Sequence, residues 1–187
     1  MAKYQELFEQ IFKLAKKVAK DLPFHATGIE KQLQEALAYE FRRSKKEIQA
    51  VREFFGEIYY ENFPVKDYRP DFVIFPDKNW KLDKTIIVET KFGGIKELAS
   101  GREELFRYLY SSNQSSSDLF RKKNIGMLIL WESTSTDVPT GTSKIALNDL
   151  LNQDLAIYEP KEFNVILETW ETDQNNAKKF IRTSIYK

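Results

Sequence analysis

Thr85-Ile86-Ile87-Val88-Glu89-Thr90-Lys91-Phe92, TIIVETKF, is the stretch whose reading decides the fold. Its β-branched residues predict a strand, and Gly93-Gly94 ends it. Side chains alternate along a strand, so Thr85, Ile87, Glu89 and Lys91 share one face while Ile86, Val88, Thr90 and Phe92 share the other. A glutamate and a lysine thus point the same way from a segment that otherwise reads as core. Ionised groups in such a place are costly unless each is paired or bound to a metal.

Upstream, Asp71 to Phe75 (DFVIF) is a second short apolar run that begins with an aspartate after Pro70. Pro76, Asp77, Lys78 and Asn79 separate it from the first stretch, which predicts two strands joined by a long hairpin loop with both faces buried. Such a hairpin brings Asp71 beside Glu89. Downstream, Ser100-Gly101-Arg102-Glu103 has the form of a capping box and predicts a helix from there to about Tyr110, followed by a serine-rich mobile loop over Ser111 to Ser117. Ile125 to Trp131 (IGMLILW) is then nearly continuous apolar sequence. A helix followed by a strand buried on both faces is the pattern of a βαβ crossover.

Toward the N-terminus, Leu7, Ile11, Leu14 and Val18 recur at helical spacing and Pro23 closes the element. Thr27-Gly28-Ile29-Glu30 is another capping-box pattern, and Ile29, Leu33, Ala36, Leu37 and Phe41 continue along one face of a second helix. Around Gly56, residues Ala50 to Phe63 suggest a strand or hairpin arm, and the tail offers strands near Phe163 to Trp170 and Phe180 to Tyr186. The order predicts a mixed α/β domain spanning 1–187.

Composition narrows the chemistry. The chain has 187 residues, 42% of them hydrophobic and 14% aromatic, enough for one sizeable core. It has no cysteine and one histidine, His25, which sets aside disulfide scaffolds, zinc ribbons, thiol nucleophiles and multi-histidine metal sites. Carboxylates, lysines and hydroxyls must carry whatever reaction there is. No apolar run approaches a membrane span, and the first twenty residues read as an amphipathic helix instead of a secretory signal, so a cytoplasmic location is expected. The net charge is +1, yet three basic clusters stand out: Lys13, Lys16, Lys17 and Lys20; Arg42, Arg43, Lys45 and Lys46; and Arg121, Lys122 and Lys123. Solvated faces and cations at helix C-termini are the simplest account of each.

Two carboxylates from neighbouring strands make a hard-oxygen site suited to Mg²⁺, with Mn²⁺ able to substitute and the Thr90 carbonyl and waters filling further positions. Lys91 could orient or deprotonate a bound water and neutralise charge on a phosphate. Together these groups describe metal-assisted phosphodiester hydrolysis.

On Pro70-Asp71 followed by Glu89-Thr90-Lys91, and on the strand and loop pattern between them, the chain resembles the PD-(D/E)XK nuclease superfamily. The resemblance covers about residues 28–131 and implies a restriction-endonuclease-like α/β fold. It further implies Asp71 and Glu89 as metal ligands and Lys91 as the catalytic lysine. A glutamate from the preceding helix often joins such sites; Glu30 is the best counterpart and also a metal-ligand candidate, with Glu40 a rival and the capping box a purely structural alternative for Glu30. The pattern is nearest to RecB-like nucleases and the N-terminal nuclease domain of type I restriction motor subunits. These carry Q-x-x-x-Y on the helix after the lysine strand; here Glu104 and Tyr108 occupy those positions, one helical turn apart, with a carboxylate in place of the amide. Arg69 is a candidate phosphate contact, and Trp80 and Tyr68 are candidates for stacking on bases, with core packing as their default. The implied partner is nucleic acid, DNA first, with no membrane, in a homo-oligomer or a larger nuclease complex. The alternative is a non-catalytic module that keeps the fold and binds nucleic acid or protein. Pro139-Thr140-Gly141-Thr142-Ser143-Lys144 lacks the glycine spacing of a phosphate loop and reads as a surface loop.

Overall fold

The apolar stretch at 85–92 becomes β5 (Ile86–Gly93), which lies inside a six-stranded mixed sheet of order β1-β4-β5-β6-β7-β8. In this computed structural model residues 4–22, 29–60, 63–114, 124–132 and 163–187 are described. On one side β5 pairs antiparallel with β4 (Phe72–Ile74), which is flanked by β1 (Ala50–Arg52). On the other side it pairs in parallel with β6 (Ile125–Glu132). Antiparallel β7 (Asn164–Thr172) and β8 (Phe180–Tyr186) complete the sheet, so the part of the chain beyond the family resemblance supplies two of its strands. A separate hairpin is made of β2 (Gly56–Tyr60) and β3 (Phe63–Tyr68).

Helices α1 (Gln5–Asp21) and α2 (Ile29–Arg43) cover one face of the sheet, and α3 (Glu97–Gln114) covers the other. Leu7, Ile11, Leu33 and Leu37 share one buried cluster with Ile86 and Val88, while Leu98, Leu105 and Leu109 share the other with Ile87 and Leu128. Ile86, Ile87 and Val88 are each fully buried. At about 1.5–3 kcal/mol per side chain this burial fixes the parity of β5, because a one-residue slip would exchange its faces. Glu89 and Lys91 are thereby committed to the α3 side and Thr90 to the α1–α2 side.

The crossover from β5 through α3 to parallel β6 is as the sequence predicts, and so are the buried strands, the long β4–β5 loop and the strands of the tail. Three local readings change. The segment 50–63 does not form one arm: β1 joins the main sheet and β2 the separate hairpin, with Glu53 at φ 48° turning the chain between them. The helix after β5 begins at Glu97, ahead of the apparent capping box, because Leu98 is already part of the core; Ser100 lies inside the helix and its hydroxyl donates to the Glu97 carbonyl. Ser111 and Ser112 are not loop residues. They close α3 as buried residues, and the Ser112 hydroxyl accepts a 2.8 Å hydrogen bond from Asn124 just ahead of β6. Among the described residues no helix is long and apolar enough to cross a membrane.

Two glycines set how closely α3 approaches the sheet. A Cβ on Gly101 would lie 2.7 Å from Leu128 Cδ1 and 3.0 Å from Lys91 Cγ, and one on Gly126 in β6 would lie 2.6 Å from Leu109 Cδ1. Only hydrogen fits between this helix and these strands, and the closeness brings Glu104 down onto Lys91.

Candidate active site

The site grows from a mismatch in strand length. β4 pairs with β5 only as far as Phe72 opposite Val88, so β5 runs on with its β4-side edge unpaired. The Thr90 and Phe92 amides both face that edge, and a buried donor without a partner is costly. Two carboxylates replace the missing strand. Asp71 Oδ2 accepts from the Thr90 amide at 2.7 Å, and Glu30 Oε2, from the first turn of α2, accepts from the Phe92 amide at 3.0 Å. The amides stand two residues apart, so the carboxylates are spaced along the edge by roughly 6.5 Å.

Asp71 is held a second time. The Thr90 hydroxyl donates to Asp71 Oδ2 at 2.6 Å while accepting from Gln34 Nε2 at 2.9 Å. Gln34 is buried, one helical turn beyond Glu30, so α2 fixes the Thr90 hydroxyl and through it the aspartate. Among the described residues Asp71 Oδ1 accepts no hydrogen bond. Burial raises the Asp71 pKa, and the Thr90 hydroxyl and amide offset only part of that; burial raises Glu30 in the same way against the Phe92 amide.

On the α3 side, Glu89 is 3% exposed. Lys91 Nζ stands 2.7 Å from Glu89 Oε1 and 3.1 Å from Glu104 Oε2. Burial, followed by the neighbouring charge of Asp71, pushes Glu89 up to about 9. Burial also works against the Lys91 ammonium, but its bonds to Glu89 and Glu104 outweigh it and hold the pKa above the ordinary lysine value. For Glu104, burial is outweighed by hydrogen bonds from Glu89 and Lys91, and its pKa is lowered. Burial and the charge of Asp71 thus both work against an ionised Glu89, while Lys91 beside it works in its favour. Tyr108 is raised to about 12 by burial and by the surrounding carboxylates.

The structure thus brings together Asp71, Glu89, Thr90, Lys91, Glu30, Glu104 and Tyr108, and beside Glu30 a cleft of about 460 Å³ is lined by Ile29, Lys31, Gln34 and Glu53. Glu40 is not among them: it faces α1 and pairs with Lys17 at 2.7 Å. Arg69 is exposed and its guanidinium lies 5.9 Å from the centre of the Phe55 ring. Trp80 is 7% exposed within the α1–α2 core and donates to the Glu47 carbonyl, so packing holds it and no base can stack there. Tyr68 ends β3. His25, Thr27, Gly28, Arg121 to Lys123 and Pro139 to Lys144 lie outside the described residues.

Whether this donor set suits Mg²⁺ can be judged from its chemistry. Among the described residues no three carboxylate, histidine or cysteine side chains converge as a ready-made cage. Magnesium does not need one, since it keeps several waters and is commonly held by one or two carboxylates. Asp71 and Glu89 are hard donors, both raised by burial, and the charge of Asp71 raises Glu89 further, a cost that a divalent cation would relieve. The Thr90 carbonyl projects to the same edge as its amide. The residues fit.

A second buried charge escapes a reading of the sequence centred on Glu89. Glu168 in β7 is fully buried, receives Arg102 at 2.8 and 2.6 Å and Arg182 at 3.0 Å, and both guanidiniums lie under 6 Å from the Trp170 ring. In register it is two strands from Glu89, across Leu128. The signal was present: a glutamate inside the apolar run VILETW repeats the anomaly of IIVETK.

In comparisons with family models, curated proteins and solved structures, the chain matches none.

Proposed function

We propose that this chain is a Mg²⁺-dependent nuclease of restriction-endonuclease-like fold that hydrolyses phosphodiester bonds in DNA. The observation that carries the reading is the meeting of Asp71, Glu89 and Lys91 at the end of β5, where β4 stops. Asp71 and Glu89 would hold the ion, with the Thr90 carbonyl and Glu30 along the same strand. When bound, Mg²⁺ or Mn²⁺ supplies Lewis acidity toward the phosphodiester and lowers the pKa of a water. Asp71 is preset for this by Thr90 and Gln34. Lys91, whose ammonium is held by Glu89 and Glu104, acts as a hydrogen-bond donor and countercharge to the phosphate. Glu104 holds that ammonium over the site, and Tyr108, protonated at any physiological pH, supplies a further donor beside it.

The test is cleavage of plasmid and of single-stranded DNA by wild type, Asp71→Ala and Lys91→Ala in Mg²⁺, Mn²⁺ or EDTA. Cleavage is expected with wild type and metal alone; activity that survives either substitution rejects the assignment. One observation favours the rival reading as a non-catalytic binding module: Lys91 already pairs with Glu89 and Glu104, so the cluster is internally satisfied. Calorimetry separates the two, because the module takes up no Mg²⁺ or Mn²⁺ dependent on Asp71 and Glu89.

A further inference from the structure

The three basic clusters of the sequence meet different fates. At the end of α2, Lys46 pairs with Glu6 at 2.9 Å and lies 3.8 Å from the centre of the Trp80 ring, while Arg43 rests 5.3 Å from that of Tyr39. The cluster at 121–123 lies outside the described residues. On α1, Lys13, Lys16, Lys17 and Lys20 are all exposed and occupy an arc of about 100°, opposite the buried stripe of Leu7, Ile11, Leu14 and Val18. Lys17 is engaged by Glu40 and Lys16 lies against Phe12, but among the described residues Lys13 and Lys20 have no ion-pair partner. The helix dipole explains a lysine only in the last turn, which accounts for Lys20 and leaves Lys13 and Lys16 unexplained.

These lysines also line a common space. A groove of about 280 Å³ is bounded by the four of them with Asp21 and Phe163. A second, of about 500 Å³, shares Lys16 and Phe163 and continues past Asn164 and Glu132 to Ile95, just beyond the end of β5. The Phe163 ring stands edge-on to Phe92 with centroids 5.0 Å apart, and the Phe92 amide is the one that Glu30 holds. The basic groove therefore begins where the carboxylate-lined edge of β5 ends.

We propose that this groove along α1 and Phe163 binds the phosphodiester backbone of a nucleic-acid strand and leads it to the site at β5, an inference that rests on the nuclease reading. Gathering ammonium groups into one groove is self-repulsive, and a polyanion neutralises it. Lysines on flexible stems act as point charges without a planar fork, so the groove recognises phosphate spacing and not base identity. Binding is then sequence-independent and driven by counterion release.

The experiment is fluorescence anisotropy of labelled 20-nucleotide single-stranded and duplex DNA of two unrelated sequences, titrated over salt in EDTA. Wild type is compared with the triple variant Lys13→Gln/Lys16→Gln/Lys20→Gln and with the corresponding Lys→Arg triple. The Gln triple is expected to lower the magnitude of the slope of log K against log[salt] by about 2–3, the sum for three phosphate contacts, equally for both sequences, while the Arg triple keeps the wild-type slope. An unchanged slope in the Gln triple, a wild type that does not bind DNA, or lysine-dependent binding to phosphatidylserine vesicles without binding to DNA overturns the proposal. Cleavage that needs Asp71 and Lys91 alongside an unchanged slope would remove the groove and leave the nuclease reading. Lysine-dependent DNA binding without metal-dependent cleavage would do the reverse.

Discussion

Replacing Thr90 by valine keeps the shape of the side chain and deletes its hydroxyl, which both donates to Asp71 Oδ2 at 2.6 Å and accepts from Gln34 at 2.9 Å. The bond to the carboxylate is charge-assisted and worth about 1.5–3 kcal/mol, and the stranded Gln34 amide, buried beside it, adds about 1–3 kcal/mol of uncompensated desolvation. Relaxation of Gln34 toward the neighbouring cleft recovers part of this, so a loss of about 2–4 kcal/mol is expected in urea unfolding. Asp71 would keep one bond, from the Thr90 amide, and lose the one that sets its rotation. A partner that orients a metal ligand is typically worth 10–100-fold in metal affinity, so calorimetric Mg²⁺ binding should weaken by that factor. Thr90→Ser restores both properties. The double variant Gln34→Leu/Thr90→Val removes the stranded amide and should regain most of the stability without regaining the affinity. Wild-type Mg²⁺ affinity in Thr90→Val, or affinity restored in the double variant, would refute the idea that Thr90 and Gln34 preset Asp71.

Three further outcomes are expected. Mg²⁺ at a hundred times its dissociation constant should stabilise wild type by about 2.7 kcal/mol in thermal unfolding, with the increment absent from Asp71→Asn and from Glu89→Gln. Gly101→Val drives two methyl groups into Leu128 and Lys91 Cγ, at positions where a bare Cβ would already be 2.7 and 3.0 Å away. It should cost about 1–3 kcal/mol and lower cleavage by displacing Glu104 from Lys91, whereas retained stability and activity would show that α3 can slide. Glu168 has its pKa lowered below the ordinary 4.5, burial being outweighed by the Arg102 hydrogen bond, so its contribution is complete above that value and is lost as pH falls through the folded-state pKa. Glu168→Gln should therefore cost about 1–3 kcal/mol at pH 7, less than a fully buried pair because both arginines can turn toward water, and the two stability curves should converge as pH falls through the lowered folded-state pKa; a constant gap would contradict the linkage.

The parity of β5 was legible because alternation is a rigid geometric rule, and with it the common face of Glu89 and Lys91. The approach of Asp71 was legible because the β4–β5 loop leaves few alternatives to a hairpin. Gln34 was harder to see. In sequence it is a polar residue beside Leu33 in an amphipathic helix, and its burial becomes evident only once β4 is known to stop short and expose Thr90. The false start at Ser100 has a comparable origin: the spelling of a cap is local, while the true start of α3 is decided by the docking of Leu98 against the sheet. Glu168 was missed although it sits in a run like that around Glu89, because its partners Arg102 and Arg182 come from α3 and β8, far from it in the chain.

The carboxylates at the end of β5 answer a structural need before any chemical one. With β4 ending at Phe72, the amides of Thr90 and Phe92 must find acceptors, and neutral acceptors would serve. Asparagine at 71 or glutamine at 30 could take the same hydrogen bonds without the burial cost that raises both acids. Charged groups where amides would suffice, next to Glu89 pushed up to about 9, make the metal-free site a place of stored electrostatic cost. Asp71→Asn and Glu30→Gln would then separate the two needs: each preserves the acceptor for the strand edge, and each should leave the metal-free protein as stable as wild type or more so while weakening Mg²⁺ binding. If the amide variants instead lowered the metal-free stability, the negative charges would belong to the architecture of the sheet edge, and the case for a cation there would lose its physical ground.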